Sequence, residues 1–145
     1  MKSIVIVSGY FNPIHLGHIR LFKAAKKLGD YLIVIVNNDK QQKIKKGKII
    51  MNQKERCEIV KAIRDVDEVV LSVDQNPPVT KTLALVAQKH RGNKLIFANG
   101  GDRSSKKVVP EAAVCEKYKI EMKYGVGGLD KPNSSSNINQ LLGLE

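Results

Sequence analysis

Two histidines, His15 and His18, stand three residues apart in GYFNPIHLGH, the stretch from Gly9 to His18. On a helix that spacing puts both imidazoles on one face. The stretch follows the apolar run Ser3–Ser8 (SIVIVS), and Gly9 closes the run. A helix starting at this point presents free backbone N–H groups and the positive end of its dipole, a combination that suits phosphate. Two imidazoles at its mouth can donate hydrogen bonds to phosphate oxygens as charge builds on them. A bare pair at this spacing more often caps or packs its helix. The flanking glycines and the strand–turn–helix setting favour chemistry instead.

Three further clusters carry polar chemistry. Lys43, Lys45, Lys46 and Lys48 crowd one short segment; alone they read as a solvated surface, and their place after the second apolar run makes a phosphate role equally good. Asn99–Arg103 (NGGDR) could be a plain turn. Its paired glycines beside Asp102 also suit close approach of backbone to a base or ribose. Ser134, Ser135 and Ser136 make a natural N-cap and, equally, a phosphate cradle. Cys57 and Cys115 lie in helical patterns without a CxxC neighbour and read as reduced core or helix-face thiols, not nucleophiles. His90 reads as a helix C-terminal residue.

The elements that position these clusters alternate regularly. Buried strands are predicted at Ser3–Ser8 and Tyr31–Val36 from continuous apolar runs, and further strands at Glu68–Ser72, Lys94–Ala98 and Ile120–Tyr124. Helices are predicted from Leu16 to Leu28, with Ile19, Phe22, Ala25 and Leu28 on one face and Gly29 ending it. Others run from Asn52 to Arg64, capped by Asn52 with Glu55 three residues on, from Val79 to His90, from Pro110 to about Tyr118, and from Ser134 to Leu142. The polar segment from Asn37 to Met51 reads as a loop. Strand–helix alternation through 145 residues predicts one α/β domain over 1–145, a parallel five-stranded sheet with helices on both faces. Ligands in such folds bind beyond the strands' carboxyl ends, at the switch in strand order. Every cluster above falls there or at the last helix.

Composition narrows the function classes. Hydrophobic residues make up 42% and charged residues 27% of the chain, ordinary for a soluble globular protein. The longest apolar runs are strand-sized, which argues against a membrane span, and the start lacks a signal-peptide cleavage site. With two cysteines and no disulfide pattern, a reducing cytoplasmic compartment is expected. A formal charge of +11 suits solubility first, a small polyanion second and nucleic acid third, because aromatic residues for base stacking are only 5%.

GYFNPIHLGH resembles the HxGH signature of the cytidylyltransferase-like nucleotidyltransferases, which include glycerol-3-phosphate cytidylyltransferase, heptose-phosphate adenylyltransferase and nicotinate mononucleotide adenylyltransferase. Asn38–Asp39, then Lys46–Gly47 and Arg56, resemble the lysine segment and following helix of the first two. Asn99–Arg103 resembles their strand-end motif, and Ser134–Ile138 their serine/threonine motif. The resemblance implies a Rossmann-like fold and transfer of a nucleoside monophosphate from CTP or ATP to a phosphorylated alcohol or sugar, with release of pyrophosphate. A nicotinate mononucleotide or flavin mononucleotide (FMN) acceptor is the alternative, and a nucleotide-sensing or nucleic-acid-binding module is the non-enzyme one. It implies His15, His18 and Lys46 at the reaction and Lys45 and Arg56 on the acceptor. It further implies Gly9, Tyr10, Phe11, Asn12, Gly17, Asn99, Gly100, Asp102, Arg103 and Ser134–Ser136 around the nucleotide. Mg2+ would bridge the triphosphate with no dedicated protein metal site, and a homodimer is an expectation of the same kind. Two departures stand out: Asn12 occupies a position where the glycerol and heptose enzymes carry Asp, and Asn139 stands where the nicotinate enzymes carry Arg.

Overall fold

The computed structural model describes residues 1–100, 110–127 and 141. Five parallel strands form one sheet in the order β3-β2-β1-β4-β5: β1 Ser3–Gly9, β2 Tyr31–Val36, β3 Glu68–Leu71, β4 Lys94–Gly100 and β5 Glu121–Val126. β1 pairs with β2 from Ile4 opposite Tyr31 to Gly9 opposite Val36, and with β4 from Ser3 opposite Lys94 to Ile6 opposite Phe97. The chain leaves β1 toward β2 and β3, then returns to the other side of β1 with β4. The switch in strand order therefore lies between β1 and β4, just where the histidine turn leaves the sheet.

The apolar runs are continuous because both faces of the sheet are covered. On one face Ile4, Ile6, Ile33, Ile35, Leu95 and Phe97 pack with Leu83 and Val86 of α4 (Thr80–Lys89) and Cys115 of α5 (Ala112–Lys117). On the other, Val5, Val7, Leu32, Val34, Ile96 and Ala98 pack with Phe22 and Ala25 of α1 (Leu16–Lys26) and Val60 of α3 (Gln53–Lys61). Successive strand residues thus alternate between two cores. No helix among the described residues is long and apolar enough to cross a membrane.

Several boundaries differ from expectation, each for a local reason. α1 stops at Lys26 with Lys27 as C-cap, and Ile19 and Leu28 of the expected stripe are exposed. Gly29 does not end the helix through a left-handed turn. It is needed because a Cβ there would come within 2.6 Å of the Ser3 carbonyl oxygen. α5 begins at Ala112, two residues past Pro110. The largest correction is the segment read as a loop: Asp39–Lys46 is a helix, α2. Asn38 and Gln41 form its capping box, and Gly47 ends it with φ +78°. The expected helix from Ser134 to Leu142 lies outside the described residues except for Leu141.

Candidate active site

His15 is the N-cap of α1, in extended conformation, and His18 is the third residue inside the helix. The Gly17 N–H donates to His15 Nδ1 at 3.0 Å, and the His15 N–H donates to His18 Nδ1 at 3.1 Å. Imidazole thus takes the part of serine and glutamate in a reciprocal capping box. An Nδ1 that accepts from a backbone amide carries no proton, so the hydrogen-bond pattern assigns both neutral rings the tautomer with the proton on Nε2. The ring centroids lie 3.9 Å apart with planes 33° from parallel. The pair is a preorganised set of two Nε2–H donors at a helix N-terminus whose first turn holds no acidic residue. The capping role and the chemical role coincide in the same side chains.

Phe11 braces the pair from behind. Its ring meets His18 edge-on at 4.9 Å and Phe22 at 5.4 Å, and it is buried. The residue sits at φ +54°, a left-handed conformation that costs a non-glycine residue energy and that the buried ring compensates. The ring lies over Gly9, where a Cβ would approach Phe11 Cζ to 2.7 Å. Gly9 is therefore set by this close approach, and the Phe11 side chain belongs to the frame behind the site, not to its ligand-facing surface.

Asn12 and Arg56 are also placed within that frame. Asn12 is buried; its Oδ1 accepts from the Ile50 and Met51 N–H groups at 3.0 and 2.9 Å, and its Nδ2 donates to the Lys48 carbonyl at 3.4 Å. An aspartate in this place would set an anionic oxygen against that carbonyl, which accounts for asparagine here. Arg56, expected on the acceptor, is 1% exposed and donates to the carbonyls of Met51, Tyr10 and Asn37 and to Asp39 Oδ1. These hydrogen bonds tie protein to protein, where the resemblance implied a contact to the acceptor. Gly17 likewise uses its N–H on His15.

Lys43, Lys45 and Lys46 lie on the last turn of α2, where cations also suit the negative end of the helix dipole. Lys45 Nζ stands 4.8 Å from the centroid of the Tyr10 ring. The α2 C-terminus is thereby brought to the turn after β1. Lys46 is exposed on the same turn. A cavity of about 180 Å³ opens beside this contact, lined by Gly9, Tyr10, Asn37, Lys45, Pro77 and Glu111 among others. Sequence reasoning missed Glu111 and Asp74. The Val79 N–H donates to Glu111, and those of Lys81 and Thr82 donate to Asp74, so these carboxylates cap α4 in place of its own N-cap side chain.

Asn99 and Gly100 end β4 across the switch point from the histidine turn. Asn99 is buried, with Nδ2 donating to the Lys123 carbonyl at 3.3 Å, and a Cβ at Gly100 would meet the Leu21 side chain of α1 at 3.6 Å. Asp102, Arg103, Ser134, Ser135 and Ser136 lie outside the described residues. Burial pushes the Cys57 thiol up, and pushes Cys115 up to about 11. Both are therefore held as inert thiols.

Residues 6–124 match the family model described as cytidylyltransferase-like. FAD synthase of Thermococcus kodakarensis is 37% identical over 127 residues, 86% of this chain and 75% of that one. The bifunctional protein HldE of Campylobacter fetus is 31% identical over 144 residues, 98% of this chain and 28% of that protein. Among FAD synthases matching at 45–52% identity, the match spans about half the length of each relative. A solved lipopolysaccharide core biosynthesis protein of Thermoplasma volcanium superposes with TM-score 0.67 at 28% identity, covering 90% of this chain and 100% of that chain. With residues 6–124 matched by the family model, the chain belongs to the cytidylyltransferase-like family.

Proposed function

We propose that this chain is one nucleotidyltransferase domain, moving a nucleoside monophosphate from CTP or ATP onto a small phosphorylated acceptor and releasing pyrophosphate. The observation that carries the proposal is the pair of Nε2–H donors fixed by backbone amides at the mouth of α1, at the switch in strand order. An acceptor phosphate oxygen attacks the α-phosphorus in line as the bond to the pyrophosphate oxygen breaks. Negative charge grows on the oxygens around that phosphorus and on the leaving group. His15 and His18 meet this charge without reorganising, because their rings are already oriented. Lys46 and Lys45 hold phosphate oxygens, and Gly9, Tyr10, Asn99 and Gly100 border the nucleotide together with Asp102, Arg103 and Ser134–Ser136. No covalent enzyme intermediate is needed, since positioning and charge neutralisation suffice.

Magnesium is the expected cofactor. Among the described residues no three His, Cys, Asp or Glu side chains converge. Each imidazole at the site already has its Nδ1 accepting from a backbone amide. These residues do not form a cage for a hard cation; the ion would come with the triphosphate, whose oxygens suit it. Two free cysteines are consistent with a reducing cytoplasmic location. A homodimer remains part of the same proposal.

A second reading has specific support: FMN as the acceptor and ATP as the donor, favoured by the 37% identity to an FAD synthase over most of both chains. A pyrophosphate-release screen tests both, with each NTP offered to glycerol phosphate, sugar phosphates, nicotinate mononucleotide and FMN. Release with a sugar or alcohol phosphate supports the first acceptor class. Formation of FAD from FMN and ATP selects the second. No release with any pair would overturn the enzyme reading.

A further inference from the structure

We propose that Arg56 is a positioning residue that locks the histidine turn and the lysine helix into one rigid unit. Its guanidinium is buried at the meeting of four segments. Nη1 donates to the carbonyl of Tyr10, in the turn after β1, and to that of Asn37, at the end of β2, both at 2.7 Å. Nη2 donates to Asp39 Oδ1, in the first turn of α2, at 2.8 Å, and Nε donates to the Met51 carbonyl, before α3, at 2.8 Å. Asp39 opens the helix whose last turn carries Lys45 and Lys46. Tyr10 precedes the left-handed Phe11, whose ring supports His18. One side chain thus sets both halves of the site.

Asn12 closes the circuit. The N–H of Met51 donates to Asn12 Oδ1 and its carbonyl accepts from Arg56 Nε, so residue 51 is held from both sides. The turn at 10–12 and the segment at 50–51 cannot shift independently. The acceptors lie around three separate nitrogens of a planar fork, and a lysine ammonium is a single point that cannot serve them together. Charge alone is therefore insufficient. The inference builds on the reading of His15 and His18 as the reacting centre, but its structural content is tested without turnover.

The test compares Arg56→Lys and Asp39→Asn with the parent protein in 15N-labelled form. Long-range 1H–15N spectra report which ring nitrogen of each histidine is protonated. His90, which caps α4 and contacts Glu68 at the other end of the sheet, serves as the internal control. In folded Arg56→Lys, the ring signals of His15 and His18 should leave the Nε2–H pattern while those of His90 stay. In Asp39→Asn the histidine pattern should persist, while the amide signals of Lys45 and Lys46 shift. For turnover, Arg56→Lys should lower kcat at least tenfold, with the KM for NTP changed less than threefold. Folded Arg56→Lys with parental histidine signals would overturn the proposal. If Arg56→Lys does not fold, Asp39→Asn decides: shifted Lys45 and Lys46 amides support the link, and parental ones refute it. A parent protein inactive in the NTP screen would remove the proposed function while the spectra still decide the role of Arg56.

Discussion

Replacing His18 with alanine separates its two roles by size. The substitution removes the acceptor for the His15 N–H and the edge-on partner of Phe11. Loss of a capping arm costs about 1 kcal/mol, and loss of an aromatic pair about 0.5–1.5 kcal/mol. The sum, about 2 kcal/mol, is well below the roughly 5–15 kcal/mol that holds a domain together. It should lower Tm by about 4–8 °C, at ~2–4 °C per kcal/mol for a domain near this size. Removing one preorganised donor from a developing oxyanion costs about 10²–10³ in rate, or ~2.7–4 kcal/mol in the barrier. His18→Gln sharpens the separation. A glutamine at the third helical position can restore the capping box, so Tm should recover while the rate stays low. The assay is single-turnover pyrophosphate release at saturating NTP, beside thermal melting of the same preparations. A folded His18→Ala protein with near-parental single-turnover rate would show that His18 does not stabilise the developing charge, whatever its melting temperature.

Lys46→Ala should raise KM for the NTP or the acceptor about tenfold, the equivalent of ~1.4 kcal/mol, while Lys27→Ala beyond α1 changes neither; steady-state kinetics on both variants decide it. Activity should depend on a divalent cation, magnesium best, and full turnover in excess chelator would contradict that. Stability should fall on the acid side. Burial alone would raise the Asp67 and Glu68 carboxyls, but hydrogen bonds outweigh it and hold both below the ordinary range, from Lys26 and the Leu32 N–H for Asp67 and from Tyr31 and Lys89 for Glu68. A depressed folded pKa contributes stability that is complete above the unfolded value, near pH 4, and is lost as pH falls through the folded one. The Asp67→Asn, Glu68→Gln double variant should melt with a flatter dependence below about pH 4, checked by Tm against pH.

Apolar patterning alone was enough to predict the sheet and to set the histidine pair at a helix mouth. Runs such as SIVIVS and YLIVIV leave a chain little choice but a strand covered on both faces, because no other packing removes every side chain from water. The spacing of His15 and His18 after such a strand placed them at a helix mouth, and Asn52 with Glu55 announced α3. α2 was illegible as a helix because its buried side chains are Gln41 and Gln42, and no apolar stripe marks it. Its signals were polar, the Asn38–Gln41 capping box and Gly47, and they count only once tertiary partners such as the Asn76 and Pro77 carbonyls satisfy Gln41. That Arg56 faces inward emerges only in three dimensions. A charged side chain on a polar helix reads as solvated, and its burial becomes favourable only when three carbonyls and a carboxylate from distant segments converge on one guanidinium. The same holds for Glu111 at the start of α4: a hydrogen bond between residues far apart in sequence has no local periodicity to betray it.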